Sequence, residues 1–495
     1  MPNYLKMMAH GTGMVMIMGA LAGLVAYLTR VVLARNLTPE EYGLFSAVFT
    51  FISFFLFFRD MGIHIALVRY IPEFNIQEKF NEIKTSISSV IIFQLLSSSV
   101  LTIIFISLAG FLAEKYFSHP EAKIILILLI GYIFGSVFYR VFRSIFNGFQ
   151  NIRIYSCLEL IKNSATLLLV LIFIYFGFSL YAPVLAYALV CFVVSLILIP
   201  SLLKTFPFFK YKITNFWPIT KKQFIFGLPI FATSAAGKFI SDIDTLMLTK
   251  FRTLAEVGVY NVILPSATLF VSFSSSIASI IIPTIIQFWV KKDWKRLTEG
   301  LGLFYRYSFL LILIPILIIL VFSDNLINAF FGQNYVSGAL ALQILVVGMA
   351  LYFVAGINNG ILIAVNKPNS VAKIIIFAAL VNVIANLILI PPFGIAGAAI
   401  ATSLSYLFML IFSTLKVIKN IPLRFPKMIW LKISLAGVSF VILADYLKEL
   451  LRLNFWFELI IIVVFSTAIY LLISYLLGVI NIEEVKKYLR ILIKK

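Results

Sequence analysis

Residues 223–260 read QFIFGLPIFATSAAGKFISDIDTLMLTKFRTLAEVGVY. The segment is long and apolar enough to cross a bilayer, for which about 20 residues suffice. Yet Lys238, Asp242 and Asp244 fall near its middle, and a charge at that depth reads as a functional site by default. Its last residues, TLAEVGVY, repeat TPEEYGLF at Thr38–Phe45. Thr38, Glu41, Gly43 and Phe45 correspond to Thr253, Glu256, Gly258 and Tyr260 at a constant offset of 215. Further on, Gly177 and Ala182 match Gly394 and Ala399 at an offset of 217, and NGFQN at Asn147–Asn151 corresponds to the turn around Ala364–Asn366. The second half of the chain therefore reuses the plan of the first.

Composition fixes the environment. The chain is 62% hydrophobic and 12% charged, with a mean hydropathy of +1.06, which a water-soluble protein of this length does not tolerate. Backbone polar groups in hydrocarbon must be satisfied within the segment, so the spans are helices. The expected fold is all-α integral membrane with about fourteen spans. Residues 1–203 form one set of six, 204–222 a polar linker, 223–415 a second set of six, and 416–495 two further helices with a basic amphipathic tail. Because each repeat has an even number of helices, the two keep the same membrane orientation, and parallel repeats of this kind place a substrate site between their halves. The first span carries Gly11, Gly13, Gly19, Ala20, Ala22, Gly23 and Ala26, and small residues predict that it faces protein. It reads as a membrane span, since no small-residue cleavage site follows it.

The net charge of +20 is distributed as a topology signal, with no nucleic-acid partner implied. Most Lys and Arg residues, Arg140 and Arg143 among them, fall on the side that holds both termini. Only Arg30, Arg35, Lys115, Lys123, Lys250, Arg252, Lys448 and Arg452 fall opposite. By the positive-inside rule, the chain is a multi-pass cell-membrane protein with both termini cytoplasmic, in contact with anionic lipid headgroups. The third and fourth spans read as nearly pure hydrocarbon. Cys157 and Cys191 lie in spans and read as packing residues, while His10, His64 and His119 share no metal-ligand spacing. No cofactor, external domain, nucleophile motif or Gly-rich phosphate loop is present, so the chain does not read as an enzyme.

Charges inside spans are the candidate site. Arg59, Lys238 and Arg306 come from three helices, with Arg30 a turn inside the outer end of the first. Such cations suit an anionic headgroup, since guanidinium holds phosphate as a bidentate fork and lysine as a point charge. Asp60, Asp242 and Asp244 are candidates for exchanging H⁺ or Na⁺ with the medium. Structural readings stand beside these: Lys238 and Asp242 are four apart and Glu159 and Lys162 three apart, spacings that form ion pairs on one helix, and Arg30 can snorkel.

ARNLTPEEYGLFS, RDMGIHIALVRYIPE, NGFQN, the DIDTLMLTKFRTLAEVGVYN block and FGIAGAAIATSLSY together resemble the polysaccharide-export (Wzx-like) branch of the multidrug/oligosaccharidyl-lipid/polysaccharide (MOP) flippase superfamily. The resemblance implies two six-helix, MATE-like lobes around a central cavity, alternating access, and a monomer. It implies export of a lipid-linked oligosaccharide on a polyprenyl phosphate or diphosphate, whose phosphate Arg59, Lys238 and Arg306 would contact. The extra C-terminal helices are similar to those of peptidoglycan-precursor flippases, and a cation-coupled multidrug exporter is the alternative in the same superfamily. A membrane glycosyltransferase is the remaining class.

Overall fold

A computed structural model describes residues 2–423, 425–451 and 454–481, and its side chains are described except at residues 2–10, 12, 233 and 269–284. Of Lys6, the serines between 272 and 279 and Pro283 only the backbone is described, and Arg424, Arg452 and the expected basic tail beyond Asn481 lie outside the described residues. The chain begins with α1 (Pro2–Asn36), α2 (Pro39–Asp60), α3 (Ile63–Ile76), α4 (Phe80–Lys115), α5 (Glu121–Leu128), α6 (Ile130–Gly148), α7 (Ile152–Tyr175) and α8 (Tyr181–Thr205). It continues with α9 (Phe216–Phe251), α10 (Leu254–Val290), α11 (Trp294–Phe331), α12 (Ala339–Ala364), α13 (Pro368–Asn420), α14 (Lys427–Leu450) and α15 (Phe455–Leu476). Among the described residues, 11 helices are long and apolar enough to cross a membrane, or up to 12 if the bent α9 counts as one span. The protein is an all-α integral membrane protein. The 53-residue α13 contains Pro391, Pro392 and a non-helical Gly394 at φ +55°, so it covers two of the spans expected from sequence.

The chain forms two compact units, Met1–Val262 with Asn386–Ile395, and Ile263–Ala385 with Ala396–Lys495. In the first, the repeated sequence has a physical meaning: it starts helices and lets two of them touch. At α2, Glu41 N–H donates to Thr38 Oγ1 at 3.2 Å and Thr38 N–H donates to the Glu41 carboxylate at 2.9 Å, a reciprocal capping box. At α10, Glu256 N–H donates to Thr253 Oγ1 at 3.3 Å. The Glu256 carboxylate instead takes Arg252 Nε at 3.0 Å, while Arg252 Nη1 donates to the Pro391 carbonyl at 3.2 Å.

Five positions into each motif is a glycine. A Cβ on Gly43 would collide with the carbonyl oxygen of Leu254, and one on Gly258 with that of Pro39. Pro39 and Leu254 are themselves 215 apart, so the contact is reciprocal and the two helix starts are related by a local two-fold.

The first unit does not bury α1. Ile17, Leu24 and Leu28 on α1 are more than half exposed, and Gly13, Gly19 and Gly23 have nothing within 4 Å of an added Cβ. The expectation that its small residues place it among neighbours is therefore corrected. One face packs on α7, where Asn163 Nδ2 donates to the Ala22 carbonyl at 2.9 Å, and in this unit the rest has no helix to lie on. The second span also ends sooner than its hydropathy suggests, because Met61 and Gly62 both adopt left-handed backbone and split α2 from α3. The expected linker is docked on the start of α4: Lys84 Nζ donates to the Tyr211 carbonyl at 2.6 Å, and Thr214 N–H to Thr85 Oγ1 at 2.9 Å.

The second unit packs Phe440, Ile433 and Ala436 of α14 against Leu310, Leu317 and Phe322 of α11 and Ile462 and Tyr470 of α15. The Tyr470 hydroxyl donates to the Leu310 carbonyl at 2.9 Å.

Gly43→Ala and Gly258→Ala force a methyl into opposing backbone, an overpacking cost of about 1–3 kcal/mol. Each should lower the thermal unfolding midpoint of the purified protein, while Gly23→Ala, with open space around it, should not. Equal midpoints for all three would contradict the close approach.

Candidate functional site

The first unit holds a cavity of roughly 710 Å³, lined from α1, α2, α3, α6, α7 and α8. The decisive wall is α6. Tyr132, Ser136, Tyr139, Arg140, Arg143 and Asn147 all line the cavity, and their spacing of three and four places them on one face of a helix. Opposite stand Glu159 and Lys162 of α7, Arg30 of α1, His64 of α3 and Tyr187 of α8.

The cations of this cavity fall into two classes. Arg143 Nη1 lies 2.9 Å from Glu159 Oε1, and Lys162 Nζ lies 2.7 Å from Glu159 Oε2. Each also lies over a ring, Arg143 5.5 Å from the Tyr155 centroid and Lys162 5.0 Å from that of Tyr139, a cation–π arrangement. Arg30 and Arg140, by contrast, have no ion-pair partner among the described residues. Glu159 is the one carboxylate among the residues that line the cavity with these four cations, and Asp60, behind His64, lies near enough to Arg140 to feel its charge. A half-buried cation without a counter-ion is costly in a low-dielectric surrounding, and the cavity is correspondingly poised to accept an anion.

Of the residues singled out in the sequence, Arg30 lines this cavity. Arg59 lies behind its wall, buried, with Nη1 donating to the Ile133 carbonyl at 2.7 Å, Ser98 Oγ at 3.2 Å and Ser136 Oγ at 3.3 Å; its Nε and Nη2 have no hydrogen-bond partner. Asp60 is held by His64 Nδ1 and by Gln94 Nε2, which donates to its Oδ1, so that His64 joins a buried carboxylate to the cavity wall. Lys238 pairs with Asp242 on α9, the local pairing its spacing allowed. Asp244 accepts from the Tyr260 hydroxyl at 2.7 Å and from Asn386 Nδ2 at 2.7 Å. Arg306 belongs to the second unit, where its Nε donates to the Val479 carbonyl and its Nη2 to that of Gly478 at 3.2 Å. Together with Lys432, whose Nζ donates to the Leu477 carbonyl at 2.9 Å, it satisfies carbonyls of the turn that follows α15.

Sequence reading missed Arg140 and Arg143: both fall inside the expected fourth span, 122–146, but count there with the charges of the cytoplasmic side. The structure runs α6 to Gly148 and places both on the cavity wall. The signal was present: polar residues recur at helical spacing from Tyr132 to Asn147, a pattern that predicts one wetted face. No group of three or more His, Cys, Asp or Glu side chains is arranged to hold a metal among the described residues.

An apolar helical bundle that encloses a polar, cation-lined cavity defines a polytopic membrane protein of the transporter class. The family model described as polysaccharide biosynthesis protein matches residues 8–289, more than half of the sequence, and the chain belongs to that family. It is 31% identical over 491 residues to a membrane protein of Methanocaldococcus jannaschii, covering 96% of each chain. It is 29% identical over 264 residues to a probable low-salt glycan biosynthesis flippase of Haloferax volcanii, covering 52% of this chain and 55% of that one. Among solved structures, the lipid II flippase MurJ in an inward closed conformation shares the fold with a TM-score of 0.75 and 17% identity, over 94% of this chain and 98% of that chain.

Asp60→Leu removes the acceptor of Gln94 and the partner of His64, a buried loss worth about 1–3 kcal/mol. The variant should unfold at a lower temperature than wild type in the same detergent, and an unchanged midpoint would show that these bonds contribute nothing.

Proposed function

We propose that this protein is a flippase that moves a lipid-linked oligosaccharide, carried on a polyprenyl phosphate or diphosphate, from the inner to the outer leaflet. The observation that carries the reading is the pair Arg30 and Arg140, two guanidinium groups on the wall of one cavity with no ion-pair partner among the described residues. A phosphate offers them bidentate, charge-assisted hydrogen bonds, and Tyr132, Tyr155 and Tyr187 beside them offer aromatic and polar contacts to a sugar. The lipid tail stays in the bilayer, so only the polar head needs the cavity. The family of polysaccharide biosynthesis proteins and the glycan flippase among the relatives support the same substrate class.

In this proposal the repeats 1–203 and 223–415 are two lobes that rock against one another, the linker 204–222 and both termini are cytoplasmic, and the membrane is the cell membrane. The protein works as a monomer and carries out no covalent chemistry. Asp60, joined to the cavity through His64, is the coupling group we favour for H⁺ or Na⁺, with Asp242 and Asp244 as the other candidates. Arg59, Lys238 and Arg306 hold local partners and enter transport only where a change of state releases them. The multidrug-exporter reading calls for an acidic cavity, whereas the carboxylate on this cavity wall, Glu159, already has two cations.

In proteoliposomes, Arg30→Ala and Arg140→Ala should each slow flipping of a fluorescent polyprenyl diphosphate disaccharide by about tenfold or more, the loss of one charged hydrogen-bonded contact. Their yield of monodisperse, inserted protein should match wild type. Full flipping in both variants, or extrusion of a quaternary ammonium dye by wild type, would overturn the reading.

A further inference from the structure

Glu159 stands between two cations on the wall of the cavity. One carboxylate bridges cations from two helices, Arg143 of α6 at 2.9 Å and Lys162 of α7 at 2.7 Å, which is the geometry by which a phosphate is held. Each cation also has an aromatic contact, Arg143 with Tyr155 and Lys162 with Tyr139. All three side chains line the cavity and are partly exposed within it, Glu159 at 30%.

We infer that Glu159 is a resident anion, which occupies Arg143 and Lys162 while the cavity is empty and yields them to the phosphate of the transported lipid. The inference rests on the reading that the cavity takes a phosphate-bearing lipid. Arg30 and Arg140 have no ion-pair partner among the described residues and meet the incoming anion first. As the phosphate takes a share of Arg143 and Lys162, the Glu159 carboxylate turns toward solvent in the cavity. On exit it returns, and its return competes with the phosphate for the same donors. Glu159 is therefore a positioning and release residue: it weakens ground-state binding, and a transporter that binds its cargo too well does not let it go.

The test uses the full chain. Binding of inorganic diphosphate to the detergent-solubilised protein is followed by calorimetry, and flipping of polyprenyl diphosphate N-acetylglucosamine in proteoliposomes gives KM and kcat. Glu159→Gln keeps the shape and removes the charge. It should bind diphosphate about tenfold more tightly, lower KM and lower kcat, and the added Lys162→Ala should cancel the gain in binding. Glu159→Asp, too short to bridge both cations, should move the same way by less and covers the case in which the amide fails to fold. Weaker diphosphate binding and a raised KM in both variants would mean that the ion pair only braces α6 against α7, and would overturn the inference. If wild type flips nothing yet Glu159→Gln still tightens diphosphate binding, the flippase reading falls while the resident anion stands.

Discussion

The organising constraint is the cost of a charge away from water. In hydrocarbon or in a narrow cavity, an ion without a partner is penalised by several kcal/mol, so a membrane protein pairs each one or spends it on function. Most intramembrane charges of this chain obey the first half of that rule. Asp60 has His64 and Gln94, Asp244 has Tyr260 and Asn386, Lys238 has Asp242, and Arg306 has carbonyls of the turn that follows α15. Arg59, buried behind the cavity wall, has only neutral acceptors and leaves Nε and Nη2 without a hydrogen-bond partner, and Arg30 and Arg140 have no ion pair among the described residues; the last two face the same cavity. A cation that lacks an ion pair and also reaches the cavity marks the site.

The scaffold has its own economy. A short motif used twice, Thr-x-x-Glu followed by Gly, caps a helix and then removes the side chain that would keep two helix starts apart. Because the glycines oppose carbonyls at equivalent positions, the contact satisfies both copies at once, and weak Cα–H···O contacts favour it further. The left-handed Met61–Gly62 break adds a second close approach, since a Cβ on Gly62 would press on the Gly227 backbone. That break brings His64 to the cavity while Asp60, four residues earlier, remains buried behind it.

Much of this was legible in the sequence because it is local. Apolar length gives spans, the offset of 215 gives the repeat, and spacings of three and four give the Glu159–Lys162 and Lys238–Asp242 pairs. The glycines at 177 and 394, matched by sequence, both take positive φ. What was not legible depends on the third dimension. The exposure of α1 follows from which helices pack beside it, not from its own small residues. Gln94 reaches Asp60 from a helix 34 residues away, and no window on the sequence shows that. Arg140 and Arg143 were hidden differently: near the end of the expected span 122–146 they read as cytoplasmic-side charges, whereas the helix turns them toward the cavity.

The central claim is that a phosphate docks on the unpaired guanidinium groups of this cavity. A cryo-electron microscopy map of the full-length protein with a polyprenyl diphosphate glycan tests it most directly. The account predicts phosphate density within hydrogen-bonding distance of Arg30 or Arg140, with the polyprenyl chain leaving toward lipid. Phosphate density elsewhere, with Arg30 and Arg140 turned onto protein carboxylates, would contradict it.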